Sequence, residues 1–204
     1  MKQKGYLKII VTLFGLITTN TIISQTSAEL AFSKSYSFEY DTQYAKAIES
    51  LTTLNSDAYE VSFRLGWLYY LSKDYAKSES FYKKAIAAEP ASIEARFGIV
   101  LPLSALGNWN MVLTHYLDVL KLDPNNSIAN YRTAYIYYSR KEYANAMVYV
   151  GKVIKMYPFD YDSNLLAAKV MMVQAKNAEA KKYFIKALEY NPQSEEAKTA
   201  LKKL

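Results

Sequence analysis

The prolines govern what this chain can fold into. Of the five in its 204 residues, Pro90, Pro124, Pro158 and Pro192 stand 34 residues apart. A proline ends a helix because its ring removes a backbone donor and clashes with the carbonyl one turn back. Its return at a fixed interval marks the end of one supersecondary unit copied along the chain. A period of 34 residues accommodates two helices and two tight turns. Only six glycines interrupt the sequence, which favours long helices with short connections.

Other positions fall into the same register. Tyr75, Trp109, Tyr143 and Asn177 lie 15 residues before the prolines; Tyr82, Tyr116, Val150 and Phe184 lie eight before. Ala85, Val119, Val153 and Ala187 lie five before, and Gly66, Val100, Ala134 and Ala168 lie 24 before. The pattern predicts first helices near 60–72, 93–106, 128–140 and 162–174, and second helices near 76–88, 110–122, 144–156 and 178–190. The small residue of each first helix admits a neighbouring helix closely, and the bulky residue of the second fills the gap beside it. One such pair cannot bury its own apolar face, so neighbours must stack. Replacing Ala134 by Leu should overpack that contact and cost about 1–3 kcal/mol. Pro102 falls inside a predicted helix, with Gly98 four residues back, and a kink or early break is expected there.

The first unit reads Leu65-Gly66, Tyr69, Asp74-Tyr75-Ala76, Tyr82, Ala85-Ile86 and Pro90. It resembles the tetratricopeptide repeat, and four aligned copies extend that resemblance from Tyr59 to about Gln193. Ser62 stands where that family prefers Trp, Ser78 where it favours Ala, and Asn177 where an aromatic is usual. The resemblance implies an all-α fold, a right-handed α-solenoid of antiparallel helix pairs. Residues 29–58 would form a degenerate N-terminal pair, 59–192 the four repeats, and 193–204 a polar capping helix. It also implies a concave groove lined by first helices. The corresponding inward positions are Phe63, Trp67 and Tyr70; Phe97, Leu101 and Ser104; Tyr131, Tyr135 and Tyr138; and Leu165, Lys169 and Met172, with Arg64 and Arg132 beside the line. Such a groove is aromatic with a few cations, suited to an extended or helical peptide. Relatives that clamp a C-terminal carboxylate use lysine where this chain has Phe63, Phe97 and Tyr131, so that clamp is not expected.

The N-terminus reads as an address. Lys2, Lys4 and Lys8 precede the apolar run from Ile9 to Ile17, and Ser24, Thr26, Ser27 and Ala28 follow. A basic start, a short apolar core and a small-residue exit form the pattern of a secretory signal peptide, here residues 1–28. The expected location is periplasmic or secreted; the alternative is an uncleaved inner-membrane anchor over residues 9–24.

Little in the sequence points to chemistry. Cysteine is absent, which excludes disulfides and thiolate metal sites, and His115 is the single histidine. Asp123-Pro124-Asn125-Asn126 lacks the glycine and distal glutamate of a calcium loop and reads as a turn. No phosphate-binding glycine loop is present. No catalytic residue, metal or cofactor is therefore expected, and the chain reads as a non-enzyme. Without the three N-terminal lysines the 25 basic residues fall to 22 against 19 acidic, too small a surplus to suggest nucleic acid. The expected function is a protein-protein interaction scaffold of the bacterial cell envelope, with a protein or peptide in the aromatic groove. The alternative is a glycan-binding module that uses the same Tyr/Trp surface.

Overall fold

The computed structural model describes residues 27–204. The expected targeting segment lies outside them, save its last two residues. Among the described residues every regular element is an α-helix. Helix α1 spans 27–40. It is followed by α2 (Tyr44–Thr52), α3 (Tyr59–Leu71), α4 (Tyr75–Ala88), α5 (Ile93–Ala105) and α6 (Trp109–Leu122). Then come α7 (Ser127–Ser139), α8 (Tyr143–Met156), α9 (Tyr161–Val173), α10 (Asn177–Tyr190) and α11 (Glu195–Leu201). The eight repeat helices start one residue or less before the positions set by the proline register. Among the described residues none is long and apolar enough to cross a membrane.

The chain forms two compact units, one ending at Pro102 and the other beginning at Leu103. In the first, α3 packs against α4 and α2 against α3. Ala31, Ala47, Leu51, Val61, Leu65 and Leu68 form a core shared by α1, α2 and α3. Tyr82 of α4 lies fully buried, with its ring against both Gly66 and Gly98. A Cβ at Gly98 would come within 2.2 Å of that ring, so only glycine fits. Sequence reasoning tied Gly98 to Pro102; the structure ties it to Tyr82. Helix α5 does not break early at Pro102 but runs on to Ala105.

In the second unit α7 pairs with α8 and α9 with α10, while α6 and α11 pack on the outer members. Ala134, Ala146, Val150, Leu166, Ala167 and Val170 form one core, and Leu165, Ala168, Ala180, Phe184, Ala187 and Ala197 the next. Ala134 has no exposed surface, as its small-residue role requires.

Both turns of the repeat have a chemical basis. Between paired helices the chain enters the left-handed region at Lys73, Gly107, Lys141 and Ala175, with φ of 65°, 75°, 63° and 57°. Each residue closes a helix C-terminus: Lys73 N–H donates to the Tyr70 carbonyl and Asp74 N–H to that of Tyr69, and the other three turns repeat this. Only Gly107 adopts that conformation without steric cost. Between repeats, Ser92, Asn126, Asp160 and Ser194 cap the next first helix by accepting from the backbone N–H of Ala95, Ala129, Ser163 and Ala197. Four residues past three of these caps comes a polar side chain that returns to the turn. Asn130 donates to the carbonyls of Pro124 and Asn126, Asn164 to those of Pro158 and Asp160, and Arg96 to that of Ser92. Ser62 holds the same register position and donates to the Asp57 carbonyl, which accounts for a polar residue where the family prefers Trp. Ser78 donates to the buried Gly66 carbonyl at 2.7 Å.

Candidate binding face

The groove residues predicted from the sequence divide between the two units and have different surroundings. On α3, Phe63 packs on Tyr59 at 5.7 Å and edge-on to Tyr82 at 5.5 Å. Arg64 is buried, ion-paired with Glu39 of α1, and lies 3.8 Å from the centre of the Tyr36 ring. Trp67 donates its indole N–H to the other Glu39 oxygen at 2.7 Å and packs on Tyr70 at 5.8 Å. Tyr70 in turn packs on Tyr75 at 5.8 Å. A single carboxylate from α1 thus holds two side chains read as available to a partner. Phe97 and Leu101 of α5 are half-buried.

Helix α7 is different. Ile128, Arg132, Tyr135 and Ser139 are all exposed, and their spacing of four, three and four residues puts them on one helical face. Tyr131 and Tyr138 stand beside this face, half-buried against the α7–α8–α9 core. Burial pushes the Tyr131 hydroxyl up to about 12, with the Asp162 carboxylate acting in the same direction. Arg132, Ile128 and Tyr131 line a cleft of about 390 Å³ closed on the other side by Asp160, Asp162 and Tyr157. On α9, Lys169 is ion-paired with Glu196 of α11.

A second cavity, of about 410 Å³, lies at the other end of α7. Its walls are Trp109, Asn110, Tyr135, Ile136, Ser139 and Arg140. Trp109 is 53% exposed and Tyr135 50%. The Arg140 guanidinium is fixed across the cavity edge: Nη2 donates to the Trp109 carbonyl at 3.3 Å and to Asn110 Oδ1 at 2.8 Å. The proline register gives Trp109 a position in the repeat and singles out neither Asn110 nor Arg140. A signal was present. Tyr75 and Tyr143 pack on Tyr70 and Tyr138, and Ser104 stands at the equivalent place in Trp109's repeat. Among the described residues no group of His, Asp and Glu is placed to hold a metal ion.

Family models described as tetratricopeptide repeat match residues 59–92, 106–161 and 174–194. The chain is a tetratricopeptide repeat protein. Solved structures of similar fold agree. A tetratricopeptide repeat protein from Parabacteroides merdae superposes with a TM-score of 0.76 at 18% identity, covering 87% of this chain and 72% of that one. YrrB, described as a tetratricopeptide repeat protein with an unusual peptide-binding site, gives 0.72 at 17% identity, covering 91% and 97%. MamA gives 0.72 at 18% identity, covering 82% and 93%. Identities this low carry the fold alone. No curated protein matches the sequence. Tetratricopeptide repeats are interaction modules that bind protein or peptide partners, and no enzyme family is indicated.

Proposed function

We propose that this tetratricopeptide repeat protein is a non-catalytic scaffold of the bacterial cell envelope that holds a polypeptide on the exposed face of α7. One observation carries the reading: the face formed by Ile128, Arg132, Tyr135 and Ser139 is open, while Arg64 and Trp67 of α3, which match Arg132 and Tyr135, are held by Glu39 and Tyr36 of α1. An apolar, aromatic and cationic strip of this kind has the composition of an interface hot spot. Tagged protein, wild-type or carrying Arg132→Ala with Tyr135→Ala, is mixed with envelope extract after circular dichroism confirms equal helix content. A partner held by the wild type and lost by the double variant is expected. Equal retention by both would remove α7 from the reading.

Export is part of the same proposal and is supported by the lysines at 2, 4 and 8, the apolar run and the small residues after it. Mass spectrometry of the protein recovered from cell fractions tests it. A mature chain starting near Glu29 in the periplasm or medium is expected. An intact chain in the membrane fraction would instead assign residues 9–24 as an anchor, and an intact chain in the cytoplasm would overturn export.

A further inference from the structure

We propose that the cavity between Trp109 and Tyr135 takes an aromatic side chain of the partner polypeptide, with an aspartate or glutamate beside that aromatic held by Arg140. The inference rests on the reading of α7 as a polypeptide-binding face and names the chemistry recognised at its C-terminal end.

Four features of the cavity select this occupant. Two aromatic rings wall it and both are half exposed, whereas Tyr75 and Tyr143, the counterparts of Trp109, pack on Tyr70 and Tyr138. Ser104 takes the place of a tyrosine, and its small side chain cannot cover Trp109 as Tyr70 and Tyr138 cover Tyr75 and Tyr143. A flat apolar group inserted between Trp109 and Tyr135 would recover that lost ring packing. Arg140 adds charge: the two oxygens that fix it are uncharged, and both accept from Nη2. A guanidinium has five donors in a rigid fork, so a carboxylate at the cavity edge would find a pre-placed cation. The polar groups argue against a sugar. Asn110 Oδ1 already accepts from Arg140, and the Ser139 hydroxyl donates to the Tyr135 carbonyl at 3.0 Å, so the Arg140 fork, best matched to a carboxylate, is the cavity's charged donor. Finally, the exposed face continues on both sides of Tyr135, to Ile128 in one direction and Ser139 in the other. That suits a segment that runs past the cavity rather than one that ends in it.

The chain has two tryptophans, Trp67 and Trp109, which makes the test direct. In a proton–nitrogen correlation spectrum each indole N–H gives one signal, and Trp67, tied to Glu39, serves as an internal reference. The probe is a blocked tetrapeptide, acetyl-Gly-Asp-Phe-Gly-amide, titrated into the full protein. We expect the Trp109 signal to move and that of Trp67 to stay. Replacing Phe by Ala in the peptide, or Trp109→Ala in the protein, should weaken binding about tenfold or more, read for the variant from backbone amides of α7. Replacing Asp by Asn in the peptide should weaken it about tenfold, and Arg140→Gln should abolish that difference between the two peptides.

Several results would overturn the proposal. They are a stationary Trp109 signal, affinity unchanged in Trp109→Ala, and a preference for the same peptide with a free C-terminus after Phe. A shift of Trp109 by cellotetraose but not by the peptide would overturn it in favour of a glycan. Failure here is distinguishable from failure of the wider reading. If Arg132→Ala with Tyr135→Ala frees the envelope partner while Trp109→Ala and the peptides have no effect, only the assignment of this cavity falls.

Discussion

Arg64 on α3 and Arg132 on α7 stand two repeat lengths apart, with Gly98 midway between them and Leu166 one repeat further on. These four residues hold one register position on four first helices, yet their surroundings differ. Arg64 is buried and paired with Glu39; Gly98 lies against the Tyr82 ring; Arg132 is exposed; Leu166 sits in an apolar core. The repeat fixes where a side chain points, and what covers it is decided by a different element each time. A residue at a groove position is therefore available to a partner only where nothing in its own unit has claimed it. By that criterion α7 is open and α3 is not.

The comparison can be broken most severely at its core member. Leu166→Arg would place a charge among the buried apolar side chains of Ala134, Ala146, Val150 and Val170. We expect a loss of about 4 kcal/mol or more, read as a lower urea midpoint for the second unit. If this variant were as stable as the wild type, the claim that Leu166 and Arg132 differ in surroundings would be false. Next in size is Gly98→Ala. A methyl group there would strike the Tyr82 ring, which also lies close against Gly66. A cost of about 3 kcal/mol is expected, the upper part of the overpacking range. The added variant Tyr82→Phe should rescue little of it, since the clash involves the ring and not the hydroxyl.

Glu39→Ala sharpens the contrast between α3 and α7 directly. It removes the counter-ion of buried Arg64 and the acceptor of Trp67 together. We expect a loss of about 2 kcal/mol, below the full value for a buried pair because Glu39 is itself partly open to solvent. The Trp67 indole signal should move upfield as its hydrogen bond is lost. No change in either quantity would return Arg64 and Trp67 to the set of available groove residues.

How much of this was legible in the sequence follows from range. The boundaries between repeats were legible because they are fixed locally, by a proline just after the second helix and a capping Ser, Asn or Asp before the next first helix. The buried set at Tyr82, Tyr116, Val150 and Phe184 was legible because it repeats with the same period. The Glu39 contacts were not: they link α1 to residues 25 and 28 positions further on, and no second copy of the contact exists in the repeat to announce it. The exposure of Trp109 was not legible for a related reason. Its type fits the consensus, and its exposure depends on Ser104, a residue at a groove position rather than at a signature one. The left-handed turn residues were hidden because three of the four are not glycine.

Those turns supply a smaller prediction. Ala175 holds φ of 57° at the position where Gly107 holds 75°. Ala175→Gly should relieve steric cost in the folded state while adding freedom to the unfolded chain, for a net gain of about 0.5 kcal/mol. Gly107→Ala, the reverse exchange in the same unit, should lose a similar amount. Equal signs for the two variants would show that the repeat turns are not equivalent, contrary to their matching hydrogen bonds.

The smallest expected effect is the most informative about α7. Arg132→Ala removes an exposed cation at the register position where Arg64 is buried and paired. The urea midpoint should move by an amount equivalent to less than about 0.5 kcal/mol, as for a surface substitution. A side chain this long and charged, kept on an open face beside Tyr131 and Tyr135 yet contributing almost nothing to folding, is free to be spent on a partner. A drop comparable to that of Glu39→Ala would mean that Arg132 is structural after all, and the distinction between the two helices would collapse.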